Sequence, residues 1–123
     1  MAKHILIGDD SSLIRQTLRR FLEKEDSWEV VGEAANGREA VEKAQELKPD
    51  LVVLDLSMPV MNGIQAAHEL KRLLPSMPTV MFTNVGGISL AEMAQSAGVS
   101  AVVPKSEPSM LITRIRDLLK TAA

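Results

Sequence analysis

The chain has 123 residues, 46% of them apolar, with fourteen Lys and Arg against sixteen Asp and Glu, a formal charge of −2 and no cysteine. That length and apolar share fit one domain with a filled core, spanning residues 1–123, and leave no room for a second. The missing cysteines exclude disulfides, thiolate metal sites and cysteine nucleophiles and agree with a cytoplasmic location, while the balanced charge offers no basic face for nucleic acid.

Met1-Ala2-Lys3-His4 leads into a short apolar run, Ile5-Leu6-Ile7-Gly8, far too short for a signal sequence or a membrane span, so no membrane association is expected. The run reads as a first strand and ends at Asp9-Asp10. Ser11 or Ser12 then caps a helix ending near Lys24, with Leu13, Ile14, Leu18, Phe21 and Leu22 apolar at three- and four-residue spacing. Trp28 to Ala34 is the second strand. Asn36-Gly37 turns the chain into a helix from about Arg38 to Leu47, which Pro49 closes. Leu51 to Leu54 is the third strand and stops at Asp55. A loop with Pro59 and Asn62-Gly63 precedes a helix from about Ile64 to Leu74. Thr79 to Phe82 is a fourth strand ending at Thr83, and Gly86-Gly87 loosens the loop before a short helix, about Ser89 to Ser96. Ala101 to Val103 is the fifth strand, running through Pro104 to Lys105. Glu107-Pro108 opens a last helix, through about Lys120, with Leu111, Ile112, Ile115, Leu118 and Leu119 apolar.

Strands alternating with helices predict an α/β fold, a doubly wound parallel sheet with helices on both faces. Parallel strands would deliver Asp9, Asp10, Asp55, Thr83 and Lys105 to one sheet edge, where open α/β folds place their ligand sites. Two carboxylates about 4 Å apart repel by roughly 4 kcal/mol at an effective dielectric near 20, so such a cluster is costly unless a cation sits in it. A hard divalent ion, Mg²⁺ or Mn²⁺, suits all-oxygen ligands. It would also screen a phosphoryl group from the carboxylates, leaving Asp55 as a covalent nucleophile, Lys105 as a point charge for phosphoryl oxygens and Thr83 as a hydroxyl donor.

The order Asp-Asp, Asp, Thr, Lys resembles the receiver domain of two-component response regulators. So do Asp55-Leu56-Ser57-Met58-Pro59-Val60-Met61-Asn62-Gly63, which is similar to the receiver phosphorylation loop, and Gly32-Glu33-Ala34-Ala35-Asn36-Gly37, similar to the second strand and turn of receivers from DNA-binding regulators. The resemblance covers essentially the whole chain and implies the flavodoxin-like (βα)5 arrangement with strand order 2-1-3-4-5. It implies that Asp55 is the phosphoacceptor, Thr83 the switch hydroxyl and Lys105 the phosphate-pairing lysine. The metal would be held by Asp10, Asp55, the Ser57 backbone carbonyl and, through water, Asp9. The implied partners are a sensor histidine kinase or phosphotransfer protein as donor and an output protein or attached output domain as target. The fourth helix, fifth strand and fifth helix would form the output face, which is also a possible homodimer face. Many receivers carry an aromatic three residues before the lysine; here the position is Val102, so the Thr83 to Gly87 loop is expected to be the moving element.

Blander roles compete with each of these assignments. Asp9-Asp10 alone would be solvated surface, Arg15, Arg19 and Arg20 a solvated helix face, Trp28 and the methionines packing, and His4 and His68 structural. Among rival functions, a flavin binder needs a phosphate cradle where this chain has two aspartates. An aspartyl-phosphate phosphotransferase would want a second acid where Ser57 stands, and a phosphorylation-independent interaction module has no need of the full acidic set. The expectation is therefore a phosphorylation-controlled signalling switch, not an enzyme acting on a metabolite.

Overall fold

The computed structural model describes residues 2–121. The chain alternates β1 (Lys3–Gly8), α1 (Ser12–Leu22), β2 (Trp28–Ala34), α2 (Gly37–Leu47), β3 (Leu51–Leu54), α3 (Gly63–Leu73), β4 (Thr79–Thr83), α4 (Ile88–Ser96), β5 (Ala101–Pro104) and α5 (Pro108–Thr121). The strands form one sheet in the order β2-β1-β3-β4-β5, every neighbouring pair parallel. The order reverses between β1 and β3, and a crevice opens there at the carboxyl ends of the strands.

Side-chain alternation along the strands splits the core in two. Ile5, Ile7, Val53, Val80, Phe82 and Val103 pack with Leu18 and Leu22 of α1 and with Leu111, Ile115 and Leu119 of α5. Leu6, Val52 and Leu54 face Ala40, Val41 and Ala44 of α2 and Ala66, Ala67 and Leu70 of α3. The central strand β3 is buried along its whole length, which is why it reads as an unbroken apolar run. Trp28 is packing, as its sequence context suggested.

Most expected boundaries fall within two residues of the observed ones, and the differences have local causes. Lys3 and His4 extend β1 because the backbone of Lys3 donates to Ser27 and that of His4 to the Asp50 carboxylate. Ser11 caps α1, Asn36 caps α2, and Asn62 with Gln65 forms a reciprocal capping box on α3, so each of these helices begins one residue after its cap. Lys48 ends α2 in the left-handed conformation, at φ 47°, the residue before Pro49 being barred from the ordinary helical region. The start of α4 differs: Gly87 precedes it at φ 108° with no side-chain cap, and the helix buries only Leu90 and Ala94.

Candidate functional site

Asp9 follows the last residue of β1, Asp55 the last residue of β3, Thr83 closes β4, and Lys105 comes just after β5. The parallel register therefore delivers them to one edge. The carboxylates of Asp9, Asp10 and Asp55 offer oxygens that all lie within 4.8 Å of one another. Asp9 and Asp55 are buried, at 2% and 7% exposure, and Asp10 is exposed. The Lys105 ammonium reaches past the end of β4 from the end of β5 and stands 2.9 Å from Asp9 Oδ2 and 3.4 Å from Asp55 Oδ2. The cluster expected to be strained without a cation thus has one of its own.

The electrostatics follow from this placement. Burial, then the charge of Asp9, push the Asp55 carboxyl above its ordinary value, against the opposing pull of Lys105. For Lys105, burial disfavours the charge, but the hydrogen bond to Asp9 and the Asp55 and Asp9 charges outweigh it and hold the ammonium above its ordinary value. Both Asp9 carboxylate oxygens are engaged: Oδ1 accepts the Ser11 amide at 2.9 Å and Oδ2 accepts Lys105. Asp10 and Asp55 are consequently better disposed to ligate a cation directly. The donor set, three carboxylates with the exposed residue Ser57 alongside Asp10, fits a hard divalent ion.

Thr83 is buried at the end of β4, and its hydroxyl oxygen accepts the Val85 amide at 3.2 Å while its carbonyl accepts the Lys105 amide at 3.0 Å. Two glycines fix the loop after Asp55 by close approach. A β-carbon on Gly63 would lie 2.2 Å from the Asp55 carbonyl oxygen, and one on Gly37 would lie 2.1 Å from that of Met61. Their amides donate to Leu56 and Met61 respectively, both at 2.8 Å.

Sequence reasoning missed a second constellation. Arg15 and Arg19 are not a free solvated face: their Nε atoms donate to the two oxygens of Glu33 at 3.0 and 2.9 Å. Burial opposes ionisation of Glu33, but the hydrogen bonds and charges of Arg19 and Arg15 prevail and hold its carboxyl below the usual range. The available signal was an acid near the end of a mostly apolar strand facing two arginines one helical turn apart. Arg20 is exposed, as expected, and His4 and His68 join no metal-binding group among the described residues.

A parallel sheet with this switch point, carrying buried acids and a lysine at its carboxyl edge, is a doubly wound receiver-type fold, and the chain belongs to the response regulator receiver domain family, matched over residues 5–116. It is 38% identical over 121 residues to a chemotaxis protein CheY of Thermotoga maritima, covering 98% of this chain and 100% of that one. It is 43% identical to a protein-glutamate methylesterase/protein-glutamine glutaminase of Alkalilimnicola ehrlichii, over 85% of this chain but only 27% of that protein. Among solved structures, a LuxR-family two-component response regulator from Aurantimonas superimposes with a TM-score of 0.94 at 33% identity, over 98% of this chain and 87% of that one. The receiver domain of Thermotoga maritima CheB does so at 0.91 and 28%, covering 98% of both. The expected fold class and strand order are those observed, and the chain is a CheY-like signalling receiver. No helix among the described residues is long and apolar enough to cross a membrane.

Proposed function

We propose that this receiver is a phosphorylation-activated switch in which Asp55 accepts a phosphoryl group from a phosphohistidine on a sensor kinase or phosphotransfer protein. The observation that carries the reading is the meeting of Asp9, Asp10 and Asp55 within 4.8 Å, with Lys105 spanning two of them. An Asp55 carboxylate oxygen attacks phosphorus, the P–N bond breaks, and its electron pair leaves with the imidazole, which takes a proton from solvent. Lys105 keeps Asp55 ionised against burial and then turns to a phosphoryl oxygen. The Thr83 hydroxyl, now an acceptor from Val85, rotates to donate to another. Asp10, Asp55, the Ser57 carbonyl and, through water, Asp9 would hold Mg²⁺ or Mn²⁺, which supplies charge neutralisation and polarisation of the phosphoryl group.

Donor docking has support in the surface around the site. Leu13, Val60, Val85, Ile88 and Met93 are exposed large apolar side chains on the loops and helices flanking the acidic edge, the kind of rim a protein partner covers. Output passes through α4, β5 and α5 to a partner or an attached domain in the cytoplasm, and the same face could pair two receivers. Among the relatives, CheY proteins match end to end, whereas in the methylesterases the matched region is about a third of the protein or less. The deciding experiment is intact-protein mass spectrometry of wild type and Asp55→Asn after incubation with acetyl phosphate, with and without Mg²⁺. One phosphoryl adduct requiring both Asp55 and Mg²⁺ is expected. No adduct, in the presence of demonstrated Mg²⁺ binding and a competent control receiver, would favour a phosphorylation-independent interaction module.

A further inference from the structure

The Asp9–Asp10 peptide is held from outside the acidic cluster. Arg15 Nη1 donates to the Asp9 carbonyl oxygen at 2.7 Å, and its Nε donates to Glu33 Oε1 at 3.0 Å. Glu33 is itself fixed: Arg19 takes its other oxygen at 2.9 Å, and Lys43 donates to its backbone carbonyl. Arg19 is anchored in turn on the Val30 carbonyl at 2.9 Å. On the opposite side the Asp9 amide donates to Ala34 at 3.0 Å. The Asp9 side chain has its own partners in Ser11 and Lys105, whereas Asp10 is exposed. The direction in which Asp10 leaves the chain is therefore set by the plane of the Asp9–Asp10 peptide, and Arg15 is the side chain that holds that plane.

We infer that Arg15, oriented by Glu33, is a positioning residue for the divalent-cation site, presenting Asp10 to the ion by clamping the Asp9 carbonyl. The inference deepens the proposed function and rests on the cation site assigned there. The clamp forms from α1 and β2, so it is present before any ligand arrives. It resembles the supporting partners of metal ligands generally, whose loss costs about 10–100-fold in metal affinity. Arg15 has only 17% of its side chain exposed, which limits its freedom to serve as a surface docking charge instead.

Arg19 provides an internal control, because it shares Glu33 but has no bond to Asp9. Mn²⁺ binding, followed by electron paramagnetic resonance, and metal-free urea unfolding would be measured for wild type, Arg15→Ala, Arg19→Ala and Glu33→Gln. The expected result is a loss of about 10-fold or more in Mn²⁺ affinity for Arg15→Ala, with a smaller loss for Glu33→Gln. Arg19→Ala should lose stability yet bind Mn²⁺ within about twofold of wild type. At saturating Mg²⁺ the acetyl phosphate reaction of Arg15→Ala should return toward the wild-type rate, the defect lying in the metal requirement. Equal Mn²⁺ affinities for wild type and Arg15→Ala, or equal losses for Arg15→Ala and Arg19→Ala, overturn the inference. If Arg15→Ala does not fold, Arg15→Gln replaces it under the same criteria. Failure of wild type itself to bind Mn²⁺ would remove the cation site and the clamp with it, a different result from a bound ion indifferent to Arg15.

Discussion

Lys105→Met tests the claim that the lysine is the resident counter-ion of the acidic site. Its ammonium sits 2.9 Å from one carboxylate and 3.4 Å from another, both belonging to buried residues. At an effective dielectric near 20 each attraction amounts to roughly 5 kcal/mol before desolvation. Methionine keeps the length of the side chain but leaves two carboxylates facing each other. Removing one partner of a buried pair typically costs about 3–5 kcal/mol, and the variant escapes the cost of burying the ammonium, so a loss of about 3 kcal/mol at pH 7 is expected. With a urea slope of about 2 kcal/mol per molar, the unfolding midpoint should fall by roughly 1.5 M. Trp28, the one tryptophan of the chain, is packed in the core and reports unfolding by its fluorescence. The pH dependence has a definite sign. Lys105 has a raised folded pKa, so its contribution is complete below the unfolded value of 10.5 and is lost as pH rises through the higher folded one. The folded state also holds the Asp55 proton more tightly than the unfolded state, favouring the fold most below 3.8 and losing that advantage as pH rises through its folded value. Without Lys105 the Asp55 carboxyl should rise further, and the gap to wild type should narrow on acidification. Mg²⁺ should rescue the variant more than it stabilises wild type, because in wild type the ion must compete with the ammonium. A Lys105→Met protein as stable as wild type in chelator at pH 7 would refute this account.

Other substitutions probe the remaining parts. Asp55→Asn should lose the acetyl phosphate adduct and, in chelator at neutral pH, be more stable than wild type. Since the folded pKa of Asp55 is raised, that advantage should close as pH falls toward 3.8, read by urea midpoints across the range. Gly63→Ala forces a β-carbon to 2.2 Å from the Asp55 carbonyl, a rigid backbone atom. It should cost about 1–3 kcal/mol and slow adduct formation, whereas an unchanged melting curve and rate would show that the loop after Asp55 is soft. The adjacent glycines before α4 should behave oppositely. Gly87 at φ 108° resists a side chain, so Gly87→Ala should destabilise by about 1–2 kcal/mol. Gly86, with open space around it and no such φ, should tolerate alanine or gain up to about 1 kcal/mol. Equal effects at both positions would contradict the backbone geometry.

The fold was legible because each strand announced itself by apolar runs and each helix by periodicity and a cap, and the parallel order then fixed which residues share an edge. Asp9, Asp55, Thr83 and Lys105 could be placed at that edge from chain position alone. Their pairing could not. Whether Lys105 reaches Asp9, Asp55 or solvent depends on the spacing of β1, β3, β4 and β5 in the sheet, which no local pattern encodes. For that reason the site was expected to be charged and strained where the structure has an internal ion pair. Glu33 illustrates the same limit: a glutamate near a strand end has no address until α1 packs beside β2 and brings two arginines to it. Ser11, Asn36 and Asn62 were legible as turn or capping residues because their partners lie three residues away.

If the proposed function holds, the internal ion pair changes the energetics of switching. Reaching 99:1 from 1:99 requires about 5.5 kcal/mol of differential interaction, and two new charge-assisted bonds, at roughly 1.5–3 kcal/mol each, would nearly provide it. Lys105, however, already makes such a bond to Asp9, so turning to a phosphoryl oxygen exchanges one for another. Where engagement swings the Thr83 oxygen toward the phosphoryl group, it also gives up the bond it accepts from the Val85 amide, worth about 0.5–1.5 kcal/mol. The net gain is then nearer 0–2.5 kcal/mol, at most about a 70-fold shift. A gain of that size produces a large response only in an element already close to balance. α4 is the element suited to that role, with its uncapped start at Gly87, its two buried residues and the exposed segment from Asn84 to Gly87 leading into it from Thr83. Release of the Val85 amide acts on the first turn of that segment, so the absence of an aromatic at Val102 is offset by a short covalent path from hydroxyl to helix. The sensitivity of the switch then lies in how weakly α4 is held rather than in how strongly the phosphoryl group is gripped.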